Sequence, residues 1–190
     1  MARDANTTRE QIIQAADDLL YGEGIRSASV DAIAARAGVT KRTLYYHFPS
    51  KDDLIAAYLT ARDEPTLSRY AVWLDETKGD LPKQVLGIFE RLARVTKSAR
   101  WKGCGFLRAA AELAGTPGHP ALKIGSAHKK KFEAWLAGCI AAQGLSEPEL
   151  RARQVMIVMD GAVAQVLIHR DPAYALAAGQ VAAALVTKRA

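Results

Sequence analysis

Residues 38–54 read GVTKRTLYYHFPSKDDL, and the reading of this stretch decides the fold. Only Leu44 and Phe48 are spaced, at i and i+4, to turn together into a core. Around them stand Lys41, Arg42, Tyr45, Tyr46 and His47, more polar and aromatic surface than a helix needs for packing alone. Thr40 is placed to cap this helix, Pro49 to close it, and Ser50 to cap another that begins at Lys51.

Upstream, Ile12, Ala16, Leu19 and Leu20 fall at i, i+4, i+7 and i+8, the stripe of an amphipathic helix. Thr7 or Thr8 is the expected N-cap, with Gly22 and Gly24 ending the helix. A shorter stripe, Val30, Ile33, Ala34 and Ala37, follows the cap residue Ser29 and stops at Gly38. Three short helices, the last two separated only by Gly38-Val39-Thr40, have the arrangement of a helix-turn-helix, whose last helix enters the DNA major groove. On its outward faces, Lys41 and Arg42 can read guanine edges or pair with phosphates, and Thr43 can touch a thymine methyl. Tyr45, Tyr46 and His47 can donate to phosphate oxygens. Helix starts near Ser29 and Lys51 offer further backbone donors to anions.

Residues 8–55 resemble the N-terminal domain of TetR-type transcriptional regulators, whose turn and LYxHF-x-(S/N)-K ending stands here as VTKRTLYYHFPSK. The resemblance implies DNA contacts by Lys41, Thr43, Tyr45, Tyr46, His47 and Lys51. It also implies that the rest of the chain binds a small molecule and dimerises. Ala28 stands where a Thr often assists phosphate contact and Arg42 where a small residue is common, so the operator sequence does not carry over.

Beyond residue 52 every strong signal remains helical. Helical spacing continues through Leu54, Ile55, Tyr58 and Leu59, with Pro65 expected to mark a kink or a restart. Gly79 and Asp80 introduce a helix bearing Val85, Phe89 and Leu92, expected to run to Gly103-Cys104-Gly105, with a short helix over 106–114. From Pro120 a longer helix carries Ile124, His128, Phe132, Trp135, Leu136, Cys139 and Ile140 on a broad face. Ser146 and Glu149 form an S-x-x-E capping box for a helix from Pro148 to about His169. That helix is apolar nearly all round from Val155 to Ile168 and needs cover on several sides. The last helix, 173–188, is rich in alanine. The expected fold is all-α: a helix-turn-helix domain over 1–52 and a helical ligand-binding and dimerisation domain over 53–190.

Apolar pockets with a few polar groups are the usual form of small-molecule sites. Phe89, Trp101, Phe106, Trp135, Met156 and Met159 are candidates for such a wall, each equally explicable as core. Glu112, His128 and Asp160 are the polar candidates, each also explicable by a structural hydrogen bond or ion pair. Cys104, at the expected start of a helix, is either a reactive thiol or an inert small residue.

The chain has 190 residues, 49% of them hydrophobic, enough for an ordinary core. No apolar run is long enough for a membrane span, and MARDANTTRE lacks the apolar stretch of a signal peptide, so a cytoplasmic protein is expected. Two cysteines without CxxC spacing and four dispersed histidines give no metal motif and no implied cofactor. The net charge of +6 does not itself argue for DNA, because residues 1–62 balance eight basic against eight acidic side chains. The function that emerges is a dimeric repressor released from a palindromic operator by a small-molecule effector. The alternatives are an architectural DNA-binding dimer without a switch, and a thiol enzyme using Cys104 with His119 or His128.

Overall fold

A computed structural model describes residues 2–188 and, among them, only helices. The order is α1 (Ala2–Glu23), α2 (Val30–Arg36), α3 (Lys41–His47), α4 (Lys51–Asp75), α5 (Leu81–Val95), α6 (Gly105–Glu112), α7 (Pro120–Ala142), α8 (Pro148–His169) and α9 (Ala173–Leu185). The all-α expectation therefore stands. The helices form two compact units: residues 1–64 with 105–126, and residues 65–104 with 127–190. The unit that contains residues 1–52 thus also takes in the start of α4, all of α6 and the start of α7.

Local sequence sets the starts of α2, α3, α4 and α5. Ser29 Oγ accepts the Ala32 N–H at 3.1 Å, Thr40 Oγ1 the Thr43 N–H at 3.1 Å, Ser50 Oγ the Asp53 N–H at 3.1 Å and Asp80 Oδ1 the Lys83 N–H at 3.2 Å. Each satisfies a donor that the first turn leaves unpaired. Four expectations are corrected. Thr7 and Thr8 lie inside α1 rather than capping it, because residues 2–6 contain no Gly or Pro to stop the helix. Pro65 does not restart the helix, and α4 runs through it. The helix from Leu81 stops at Val95, where Thr96 Oγ1 donates to the Ala93 carbonyl at 2.9 Å and Lys97 and Ser98 tighten the chain with i→i+3 bonds. The capping box does not form. Pro148 is the first residue of α8, its N-cap is Glu147 in the left-handed region with φ +55°, and no side chain caps it. Ser146 lies one residue too early, and its carbonyl accepts from Arg151 Nε at 2.8 Å.

The first unit buries Ile12, Ala16, Leu20, Ile33, Leu44, Phe48, Leu54 and Tyr58. Burial pushes the Tyr58 hydroxyl up to about 12, against the opposing pull of Arg62; Arg62 itself lies 4.4 Å from the Tyr21 ring centre and pairs with Asp17. The second unit has a continuous core that includes Val85, Phe89 and Leu92 of α5, Phe132, Leu136 and Ile140 of α7, Val155, Met159 and Val166 of α8, and Ala175 and Ala182 of α9. Here α9 packs on both α5 and α8. Gly179 permits a close approach to α5, since a Cβ there would stand 2.7 Å from Phe89 Cβ.

Gly179→Ala should therefore lower stability. The overpacking costs about 1–3 kcal/mol, more than the gain of about 1 kcal/mol from better helix propensity. Gly138, in α7, has nothing within 4 Å of an added Cβ, so Gly138→Ala should raise stability by about 0.5–1 kcal/mol. Opposite shifts of the urea midpoint check the pair.

Candidate functional site

The seven residues of α3 present two very different faces. Leu44 is fully buried and Phe48 is 2% exposed, whereas Tyr46 is 82% and Tyr45 41% exposed. Lys41 and Arg42 are exposed as well, and Thr43 and His47 are half-buried. The Tyr46 and His47 rings meet edge to face at 5.3 Å, and the Thr40 and Thr43 hydroxyls share a hydrogen bond of 2.8 Å. Lys41 Nζ donates to Asp31 Oδ2 at 3.0 Å, tying α3 to α2, and this bond raises the Lys41 pKa. The result is a short ridge of cationic, hydroxyl and aromatic groups facing outward from two buried anchors. Such a surface suits a phosphate-lined groove.

Two other expected contact residues are engaged in the fold. Ser29 caps α2. The half-buried Lys51 donates from Nζ to the Ile25 carbonyl at 2.6 Å. It belongs to a set of ties on the turn after α1, where Arg108 donates to the Tyr21 carbonyl at 2.6 Å and Glu112 Oε2 accepts the Arg26 N–H at 3.1 Å. Glu112 also lies against Gly24, which has φ +102°. Side chains of α4 and α6 thus hold backbone groups that the turn leaves outside any helix ladder.

In the second unit, a cavity is lined by Tyr70 and Thr66 of α4, Cys104, residues His128, Lys129 and Phe132 of α7, and Met156, Met159, Asp160 and Val163 of α8. The space open to the centre of a water molecule is about 30 Å³, enough for a water or two and far below a ligand pocket of roughly 300 Å³ or more. His128 is 3% exposed, and Lys129 pairs with Asp160 on the wall. The cavity brings together Cys104, His128, Met156, Met159 and Asp160 from the sequence candidates. The others lie elsewhere: Phe89 is core under Gly179, Trp101 and Trp135 pack around the core of the second unit, and Phe106 and Glu112 belong to the first unit. Thr66, Tyr70, Lys129, Phe132 and Val163 were not among the candidates, and only their positions in space mark them. Among the described residues no cluster of three or more His, Cys, Asp or Glu could hold a metal, and no helix is long and apolar enough to cross a membrane.

Residues 12–58 match the family model of bacterial regulatory proteins, tetR family. The fold is similar to the crystal structure of SCO4454, a TetR-family transcriptional regulator from Streptomyces coelicolor, with a TM-score of 0.79 and 30% identity over 94% of this chain and 93% of that one. The chain belongs to the TetR family of transcriptional regulators. Among curated TetR-type relatives, it is 39% identical over 64 residues to SrpR of Pseudomonas putida, 34% of this chain and 30% of that regulator. It is 24% identical to YjdC of Escherichia coli, over 87% of this chain and 86% of that one. The match with SrpR therefore spans less than a third of that relative's length. Membership places the chain among regulators and removes the thiol-enzyme alternative. Cys104 and His128 share the cavity, whereas His119 lies in the other unit, with Nδ1 accepting the Ala121 N–H at 3.1 Å.

For this TetR-family head, Lys51→Met should leave the Ile25 carbonyl without its donor and cost about 1–3 kcal/mol. Thermal unfolding without DNA checks this: a fall in Tm in the free protein marks a structural lysine, and an unchanged Tm would leave Lys51 to phosphate contact alone.

Proposed function

We propose that the chain is a homodimeric repressor that binds a palindromic duplex operator through α3 and is released by a small-molecule effector in the cavity of the second unit. It works in the cytoplasm without a cofactor, with residues 1–52 reading DNA and residues 53–190 binding ligand and dimerising. The observation that carries the DNA reading is Tyr46, a large aromatic left 82% exposed on a helix whose other side is sealed. Lys41, Arg42, Thr43, Tyr45, Tyr46 and His47 make the direct contacts, with Ser29 and Lys51 at the margins. Two heads dock in successive major grooves about 34–36 Å apart.

Dimerisation is supported by α8. Its Ala152, Val155, Met159, Ala162, Val163 and Val166 are buried, yet Leu150, Ile157 and Ile168 are 43%, 63% and 68% exposed. At about 100° per residue these three fall on one stripe. Leu176 and Val181 of α9 are 44% and 54% exposed. Two copies related by a two-fold axis would cover this apolar surface with the same surface. The cavity as it stands is too small for an effector, so the ligand binds an expanded conformer. To turn a mostly DNA-competent population into a mostly incompetent one, it must prefer that conformer by about 10⁴, or about 5.5 kcal/mol.

The test of the head uses a duplex selected by the native chain from a random pool. Tyr46→Ala and Lys41→Ala should each weaken binding by about 1–3 kcal/mol, and Lys41→Ala should also reduce the salt slope by about one counterion. Unchanged affinity in both variants would reject α3 as the reading helix. An architectural dimer would instead bind the unselected pool as tightly as the selected duplex.

The interface is tested by sedimentation. Each isoleucine buries about 1.5–3 kcal/mol and counts twice across a two-fold axis, so Ile157→Glu should weaken the dimer by at least about 100-fold. A native chain that stays monomeric at high concentration would reject the interface.

A further inference from the structure

The effector reading leaves the chemistry of the ligand open, and the cavity wall narrows it. Thr66, Tyr70, His128 and Lys129 all carry groups that can donate a hydrogen bond, whereas Asp160 alone can only accept. One of its two oxygens, Oδ1, already accepts from the Lys129 ammonium, which balances its charge. An ammonium has three N–H donors, so one bond to Asp160 leaves two for a second acceptor without breaking the pair.

The surrounding charge has the same sign preference. Residues 129–131 are three successive lysines, and within the second unit the sequence contains no Asp or Glu from 127 to 132 or from 91 to 104. Both segments supply cavity walls or lead directly to them: Lys129 lies in the first, and Cys104 in the second. An organic cation entering here would face Lys129 and its neighbouring lysines, and would meet at Asp160 a carboxylate whose charge Lys129 already balances. An anion meets the opposite field and displaces nothing. The remaining wall is apolar and soft: Phe132, edge-on to Tyr70 at 5.1 Å, with Met156 and Met159. Such walls accommodate an aromatic or alkyl body.

We propose that this cavity takes an amphiphilic carboxylate, its head on Lys129 and its apolar body between Phe132 and the α8 methionines. The proposal rests on the reading of the cavity as the effector site, but its test does not depend on DNA release. Trp135 lies 5.5 Å from the Phe132 ring and Trp73 5.6 Å from the Tyr70 ring, so indole fluorescence reports occupancy. The probes are 4-phenylbutyrate, 4-phenylbutanol and 4-phenylbutylamine, one body with an anionic, a neutral and a cationic head at neutral pH.

The carboxylate should bind at least about tenfold more tightly than the other two, the size of one charge-assisted hydrogen bond. Lys129→Met should abolish that preference, and Lys129→Arg should keep it. Asp160→Asn, which removes the competing carboxylate, should tighten phenylbutyrate. Alcohol or amine binding as tightly as the carboxylate, no quenching by phenylbutyrate at millimolar concentration, or a head-group order untouched by Lys129→Met and Asp160→Asn would overturn the proposal. Operator release is measured separately. If phenylbutyrate binds in the expected order without releasing DNA, the carboxylate site stands and the effector reading falls.

Discussion

The burial of Leu44 and Phe48 is the constraint on which the outward surface of α3 depends. A helix of seven residues is well below the roughly 12–15 needed for stability in water on its own. Its place is fixed by those two side chains, by the Thr40 cap and by the Lys41–Asp31 bond to α2. Because the anchors are spaced at i and i+4, the orientation of every other side chain on α3 follows from them. Tyr46 projects into solvent because Leu44 does not. A hydrophobic requirement thus aims polar chemistry outward.

The same two residues explain why this part of the fold was legible from sequence. Caps at Ser29, Thr40, Ser50 and Asp80 act within three residues of themselves, and helical spacing is equally local. What sequence concealed depends on distance along the chain. Lys51 reads as a phosphate contact by position, yet its ammonium is drawn to a carbonyl 26 residues earlier. Glu112 stands in apolar surroundings in sequence, but in space it meets the Arg26 amide, 86 residues away. Lys129 and Asp160, 31 residues apart, share the cavity wall, and no periodicity links them. The capping box at Ser146 failed for a local reason, because Pro148 fixes the start of α8 one residue later than the motif implies.

The second unit shows how little composition says about which side of a helix is covered. Between Val155 and Ile168, α8 is apolar on nearly every side, and one chain covers only part of it. Its inner side closes the core and supplies Met156, Met159 and Asp160 to the cavity. Its outer stripe remains in water. One helix therefore lies under both the surface proposed to pair copies and the wall proposed to meet a ligand, and a rotation of α8 about its axis would be felt at both.

The first unit is not continuous in sequence, and this has a consequence during synthesis. Arg108 and Glu112, which hold the turn after α1, are 87 and 86 residues from their partners at Tyr21 and Arg26. At about 5–20 residues per second, the ribosome needs roughly 4–17 seconds to deliver them after the turn has been made. During that interval the nascent α2 and α3 exist without the side chains that fix the turn after α1. The newborn chain finishes its head only after much of its body has been translated.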